Sequence, residues 1–283
     1  MSNENQNDHE NEVMNEAEKK KTGFAALSND SIAKTFIVAF ALCLVCSVIV
    51  SVAATLLKPE QQRNQKIDLQ KNILAVAGLT DETQSIEERF EKIETRIVDI
   101  ATGEYTDAVD VETFDQRKAS KEPKLSVKLT TEQDIALIGR RAKYGKVFIM
   151  KDGDSLSKVI IPVKGYGLWS TMYGFIALKA DGRTIEDVTF YDHGETPGLG
   201  GEITNRAWQK VWQGKHVTDE NGNPAFTVVK GKASSDSQYD VDGMAGATLT
   251  SVGVMNLVRF WVGENGFGPY LKKLAATAGA NNG

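Results

Sequence analysis

The run TFIVAFALCLVCSVIVSVAATLL, Thr35 to Leu57, contains no charged residue over 23 positions, and no other feature limits the possible architectures of the chain as strongly. At a rise of about 1.5 Å per residue, a helix of that length crosses a hydrocarbon core of about 30 Å. The run is longer than the usual apolar region of a signal peptide, and Lys58-Pro59 closes it without a clear cleavage site. It is read as a single membrane-spanning anchor, with a buried core helix as the alternative. Lys19, Lys20, Lys21 and Lys34 precede it, and Lys58, Arg63, Lys66 and Lys71 follow it, so charge asymmetry gives no orientation.

Both cysteines, Cys43 and Cys46, lie within this run, three apart and therefore on one helix face. The rest of the chain thus has no disulfide, no cysteine-ligated zinc and no iron–sulfur site of its own. Within the span the two thiols are either small apolar packing groups, the preferred reading, or ligands of a metal shared with partner helices. The composition of the whole chain is globular, with 25% charged residues in 283. A formal net charge of -5 supplies no basic face for nucleic acid.

The polar stretch before the span, MSNENQNDHENEVMNEAEKK, has little to bury and reads as disordered. After the span, Glu60 to Leu79 reads as a continuing helix with a stripe at Ile67, Ile73, Leu74 and Ala77, stopped at Gly78. Asp81 to Gly103 reads as a second, amphipathic helix, because Ile86, Phe90, Ile93 and Ile97 recur at spacings of four and three. From about Lys124 the period changes to that of short strands: KLSVKL, KVFIMKDG, KVIIPVKGYG, a pair joined at the Ala180–Arg183 turn, and FTVVKG. A helix is expected over Asn205–Gly214 and another after Thr248, with Val254, Leu257, Val258, Trp261 and Val262 on its inner face. Strands in a run with helices on either side predict an α+β fold with a largely antiparallel sheet.

Three segments carry candidate chemistry. In DGMAGATLTS, the small residues Gly246 and Ala247 bare the backbone at a helix start, where unpaired N–H groups and the dipole favour an anion. Phosphate is one reading; a plain N-cap by Thr248, Thr250 or Ser251 is the other. In YDHGETPGLGGE, four glycines around Pro197 follow a strand and expose backbone groups to a ring system, or simply make a tight loop. His193 has no second histidine beside it and is a poor metal ligand. In GYGLWSTMYGF, Trp169, Met172, Tyr173 and Phe175 form either an aromatic wall for a flat cofactor or ordinary core.

Together and in this order behind one anchor, GYGLWSTMYGF, HGETPGLGGEI and DGMAGATLTS closely resemble the C subunit of the Na⁺-translocating NADH:quinone reductase. QKNILAVAGL near the anchor is similar to that family too. The resemblance implies FMN joined through its phosphate to the last threonine of a D-x-x-[ST]-G-A-T motif, here Thr248, by a separate flavin transferase using FAD and Mg²⁺. Ala245 departs from the motif, standing where Ser or Thr is usual. By the same resemblance Trp169, Glu195, Thr196 and Leu199 line the flavin, with Gly246, Ala247, Leu249 and Thr250 around the acceptor and Lys230 as a phosphate or flavin contact. Asp242 is assigned to motif recognition or turn structure.

The implied segments are a cytoplasmic tail over 1–34, the span over 35–57 and a helical membrane-proximal segment over 58–123. An FMN-binding domain with a curved antiparallel sheet follows over 124–275, then a flexible end over 276–283. The implied role is a relay of single electrons, coupled to Na⁺ export, from an iron centre held by partner membrane subunits to the flavin of the B subunit. It is set in a six-subunit complex of the bacterial inner membrane, with the B, D and E subunits nearest and the FMN domain on the extracytoplasmic side. No GxGxxG opens a βαβ unit, in keeping with a chain that binds no NADH itself. Two alternatives remain: the G subunit of an Rnf-type ferredoxin:NAD⁺ complex, and a membrane-anchored binding or scaffold module without covalent flavin, in which Thr248 is only a cap.

Overall fold

A computed structural model describes residues 31–153 and 155–281. The tail read over 1–20 lies outside the described residues. The chain divides into two compact units, 1–65 and 66–283.

The first long element, α1, is the helix Ile32–Ala77, and it contains the whole uncharged run. Pro59 lies inside it, and the helix runs on past Lys58-Pro59, as the continuing helix read after the span implies. It stops where the sequence places its stop, at Gly78, whose φ of 78° suits a residue without a side chain. Its last turns bury Ile73, Leu74, Val76 and Ala77. The Lys158 ammonium donates to the carbonyl of Ala77 at 2.9 Å and to Glu186 Oε1 at 2.5 Å, satisfying a terminal carbonyl of the helix.

The second expected helix is not formed as such. Only α2, Ile86–Phe90, is helical, opened by a reciprocal capping box between Ser85 and Glu88. Ile93–Asp99 is instead strand β1, and Glu104–Tyr105 is strand β2. The reason lies in the spacing. Ile93 and Ile97 are four apart, which also fits the period of two of a strand, and the β-branched Ile93, Thr95, Ile97 and Val98 suit a pleated surface. The strand is held by antiparallel pairing with β5, Tyr144–Asp152, from Ile93 opposite Met150 to Asp99 opposite Tyr144. The sheet therefore begins inside the stretch expected to be helical, membrane-proximal chain.

Between these lie α3, Gln116–Ala119, and a small antiparallel pair, β3 Ser126–Lys128 with β4 Arg140–Ala142. The main sheet continues with β6 Ser155–Tyr166, β7 Thr171–Lys179 and β8 Ile185–Asp192 in the order β2-β1-β5-β6-β7-β8, every pairing antiparallel. Helix α4, Arg206–Lys210, is shorter than expected, and the FTVVKG strand reduces to β9, Thr227–Val228, paired in parallel with β10, Asp240–Val241. Helix α5, Thr248–Val262, ends at Gly263, and α6 runs Gly268–Asn281, into the range expected to be a flexible end. The fold is α+β, as the pattern of elements predicts.

One large core fills the face of the sheet that carries Val159, Ile161 and Val163 and takes in Val254, Leu257, Val258, Trp261 and Val262 of α5. A second core on the opposite face joins Phe148, Ile160 and Phe175 to Ile73, Leu74, Val76 and Ala77 of α1. Helix α5 lies very close to the end of β6: a Cβ on Gly253 would stand 2.5 Å from the Tyr166 carbonyl oxygen. That approach brings the start of α5 beside the loop joining β6 to β7.

Candidate functional site

Three loops meet at one end of the sheet: residues 167–170 between β6 and β7, residues 193–201 after β8, and residues 242–247 before α5. They surround a cleft lined by Leu168, Trp169, Glu195, Thr196, Leu199, Gly200, Gly246, Ala247 and Thr250. Seven of these are residues that the sequence picks out. Leu168 and Gly200 are the two it misses, although each adjoins a selected residue within the same motif.

Two turns of the same kind shape the cleft. In Thr196-Pro197-Gly198-Leu199, the Leu199 N–H donates to the Thr196 carbonyl at 3.1 Å, and Gly198 has φ 75°. In Met244-Ala245-Gly246-Ala247, the Ala247 N–H donates to the Met244 carbonyl at 3.2 Å, and Gly246 has φ 73°. Both follow the type II pattern, with a positive φ at the third position. A Cβ on Gly246 would fall 2.9 Å from Leu199 Cδ2, so the two turns touch where glycine is needed twice over, for φ and for space. Ala245 is exposed at the second position of its turn. The Ser251 hydroxyl accepts from the Met244 N–H at 3.1 Å and pins this turn to the helix.

Glu195 is buried, with 4% of its surface exposed. Its Oε1 accepts from the Trp169 N–H at 2.9 Å and the Ser170 N–H at 3.1 Å, and both oxygens are 3.2 Å from the Leu168 nitrogen. Oε2 accepts from the Thr250 hydroxyl at 2.6 Å. Burial raises its pKa, but the hydrogen bonds from Thr250, Trp169, Leu168 and Ser170 outweigh this and hold the carboxyl below its ordinary value. The carboxylate therefore joins the β6–β7 loop to α5 from inside.

The start of α5 departs from the expected caps. Ala247 occupies the N-cap position, and no side chain caps the helix. Thr250 and Ser251 turn their hydroxyls to Glu195 and Met244 instead. Thr248 is exposed, and its hydroxyl has no hydrogen-bond partner among the described residues. The first-turn N–H groups thus face the site without a side-chain acceptor, an arrangement suited to an anion.

Two other residues complete the neighbourhood. Asp242 is a tie within the fold: its Oδ1 accepts from the Ala233 N–H and its carbonyl from Trp208 Nε1, each at 2.8 Å. Lys230 is exposed and is not among the cleft residues. It sits next to Gly231, whose carbonyl accepts from the Gly243 N–H of the acceptor loop at 2.8 Å.

The aromatic segment divides between its two readings. Met172 and Phe175 are core, at 0% and 2% exposure, whereas Trp169 stands out at 65%. With Leu199 at 44% and Leu249 at 61%, it gives the site an exposed apolar surface. The cleft encloses only about 40 Å³, close to the volume of one water, so a ring system fits over this surface rather than within the cleft. Apolar faces, free backbone groups, an accessible hydroxyl and an uncapped helix start together match the parts of FMN. A larger hollow of about 520 Å³ along Ile37, Val38, Ala41, Leu42 and Val45 belongs to the apolar surface of α1 and has no comparable chemistry. Cys43 and Cys46 are exposed on α1, and no group of three metal-ligating side chains occurs among the described residues.

Comparison with known proteins agrees with this geometry. The family model of the FMN-binding domain matches residues 167–263, the span that contains all three loops. The chain is 51% identical over 248 residues to the C subunit of the Na(+)-translocating NADH-quinone reductase of Vibrio vulnificus, covering 87% of this chain and 97% of that one. Against the Yersinia pestis protein of the same name it is 49% identical, with coverages of 87% and 94%. The crystal structure of Shewanella oneidensis NqrC superposes with a TM-score of 0.70 at 35% identity, covering 75% of this chain and 99% of that one. The C subunit of the same reductase from Parabacteroides distasonis gives 0.59 at 27% identity, covering 77% and 96%. With this identity sustained over nearly the whole length of its relatives, the chain belongs to the family of C subunits of the Na⁺-translocating NADH-quinone reductase.

Proposed function

We propose that this chain is the electron-transfer subunit of a Na⁺-translocating NADH-quinone reductase and carries FMN in phosphoester linkage to Thr248. The observation that carries the assignment is the exposed, unbonded Thr248 hydroxyl at the uncapped start of α5, beside the cleft. Family membership and the matching FMN-binding model support it. When bound, FMN supplies one-electron chemistry, which no side chain of this domain provides.

The chain's own residues accept, orient and balance the group. The Thr248 oxygen attacks the FMN phosphorus of FAD on a flavin transferase; the phosphoester forms, the pyrophosphate bond breaks, AMP leaves and the hydroxyl proton is released. The small residues Ala245, Gly246 and Ala247 leave the transferase room to reach that oxygen. The first turn of α5 and the Lys230 ammonium balance the remaining phosphate charge. Trp169, Leu199 and Leu249 cover the ring, with Thr196 at the edge of the cleft, while Glu195 and Thr250 hold the surrounding loops in place.

In this reading the chain relays single electrons between an iron centre held by partner membrane subunits and the flavin of the B subunit. The B, D and E subunits are its neighbours, and the relay is coupled to Na⁺ export. Helix α1 anchors the chain in the bacterial inner membrane, with the flavin domain on the extracytoplasmic side. The strong identity to C subunits of the reductase favours this assignment over an Rnf-type protein.

The test is an intact mass and peptide map of the chain from its native membrane. The expected result is an increase equal to FMN less one water on the peptide containing Thr248, lost in Thr248→Ala. Because the Thr248 side chain makes no hydrogen bond and is not the cap, T248A should keep the melting temperature of the flavin-free chain. Covalent flavin persisting in T248A overturns the acceptor, and an unmodified native chain from cells containing the transferase overturns the assignment.

A further inference from the structure

Helix α3 precedes the stretch matched by the FMN-binding model, yet side chains in and beside it reach four strands of the main sheet. Asp115 caps the helix, accepting from the Arg117 N–H at 2.9 Å and the Lys118 N–H at 3.1 Å, which fixes the backbone at Arg117. Gln116 Oε1 accepts from the Lys146 N–H of β5 at 3.1 Å. The Ser120 hydroxyl, buried just past the helix, accepts from the Lys164 ammonium of β6 at 2.9 Å. Arg117 reaches the remaining two strands, β7 and β8.

The Arg117 guanidinium carbon stands 3.5 Å from the centre of the Tyr173 ring and 5.2 Å from that of Tyr191. Its Nη1 donates to Asp192 Oδ2 at 2.8 Å. Tyr191 in turn stacks on Phe175 of the second core, with 5.1 Å between ring centres, so Arg117 acts from the sheet face opposite α5. Tyr173 and Asp192 are partners in the β7–β8 ladder, where the register shifts, and Asp192 is the last residue of β8. Past this rung the strands give way to the two loops of the cleft. There only the bond from the Gly194 N–H to the Ser170 hydroxyl and the Glu195 carboxylate on the 168–170 N–H groups join one loop to the other. With side chains 41% and 53% exposed, the Arg117–Asp192 pair alone adds little; the stacked guanidinium plane makes it a clamp.

We propose that Arg117 is a positioning residue for the flavin. By clamping Tyr173 to Asp192 at the root of both loops, it sets the separation of Trp169 and Leu199, the apolar groups that cover the ring from opposite loops. This rests on the proposed attachment of FMN beside the cleft. It extends the machinery of that site to a side chain that makes no contact with the cleft and comes from the segment before the FMN-binding stretch.

The experiment compares Arg117→Met and Arg117→Lys with the native full-length chain in detergent. In flavin-free chain made without the transferase, amide hydrogen exchange at Leu168, Trp169, Ser170 and Gly194 should quicken about tenfold in R117M, while exchange at Val159 and Ile161 stays native. In flavin-loaded chain the visible circular dichroism of the flavin should fall by about half, with R117K, which keeps the charge and loses the stacked plane, between R117M and native. Loop exchange equal to native, exchange quickened alike throughout the sheet, or unchanged dichroism overturns the proposal; the second of these would make Arg117 a tie of α3 and nothing more. Should R117M fail to fold, R117K and Asp192→Asn, which removes the ion pair and leaves the stack, decide by the same measures. A native chain that carries no flavin in cells containing the transferase defeats the underlying reading, while exchange in the flavin-free chain still decides whether Arg117 sets the loops.

Discussion

Glu195 and Thr248 illustrate what residue chemistry carries and what it omits. The motif ETPGLG singles out Glu195 as a flavin neighbour, yet its carboxylate is engaged by Leu168, Trp169, Ser170 and Thr250. Nothing in the sequence marks a glutamate in a glycine-rich loop as buried; its partners lie 25 to 27 and 55 residues away. Replacing it by Gln keeps the shape but loses one acceptor oxygen and the charge. Glu195→Gln should therefore cost about 1–3 kcal/mol at neutral pH, measured as a shift in chemical unfolding. The folded-state pKa is depressed, so the ionised tie contributes fully above the unfolded carboxyl value of about 4.3 and is lost as pH falls through the folded value. The gap between native and E195Q should accordingly narrow in acid. A gap that does not change with pH would mean that the carboxylate is not the ionised tie described here.

Among elements, legibility follows period and length. Strands β5 to β8 and helix α5 are readable because each repeats its pattern over eight residues or more, and Gly78 and Gly263 mark real ends. Strand β1 is not, because spacings of four serve helix and strand alike, and only its pairing with β5 decides between them. The true cap of α5 is hidden too, because three candidate hydroxyls in succession offer no basis for choice, and tertiary partners claim two of them. Lys158 is a further case: in a strand of mostly apolar residues it looks like a solvent-facing charge, but it is 8% exposed and ends α1. Lys158→Met retains the apolar stem and leaves the Ala77 carbonyl and Glu186 without their donor. Stability should fall by about 1–3 kcal/mol with the flavin spectrum unchanged, measured by thermal melting of the full chain in detergent. Melting at the native temperature would show that this bond adds nothing to the junction of α1 and the sheet.

For the whole molecule, the uncharged run announces an anchor, but it does not show where the anchor ends and the folded domain begins. Helix α1 is continuous through Leu57 and Pro59, while the compact unit that holds the sheet starts at Lys66. The last turns of α1 thus belong to the core: Ile73, Leu74, Val76 and Ala77 cover Phe148, Ile160 and Phe175 on the sheet face opposite α5. Burial of four such side chains is worth several kcal/mol at about 25 cal/mol per Å² of apolar surface, comparable to the net stability of a domain. Two truncations should therefore behave differently. A chain beginning at residue 58 loses the apolar run and keeps the lid on the second core, so it should be soluble, fold and accept flavin at Thr248. A chain beginning at residue 80 also loses the lid, exposes those aromatic and aliphatic groups, and should aggregate or melt far lower even though β1 to β8 and the entire flavin site are intact. Size-exclusion profiles and melting curves of the two products decide the matter. If the shorter chain is as soluble and stable as the longer one, the end of α1 is only a tether and the domain is complete without it.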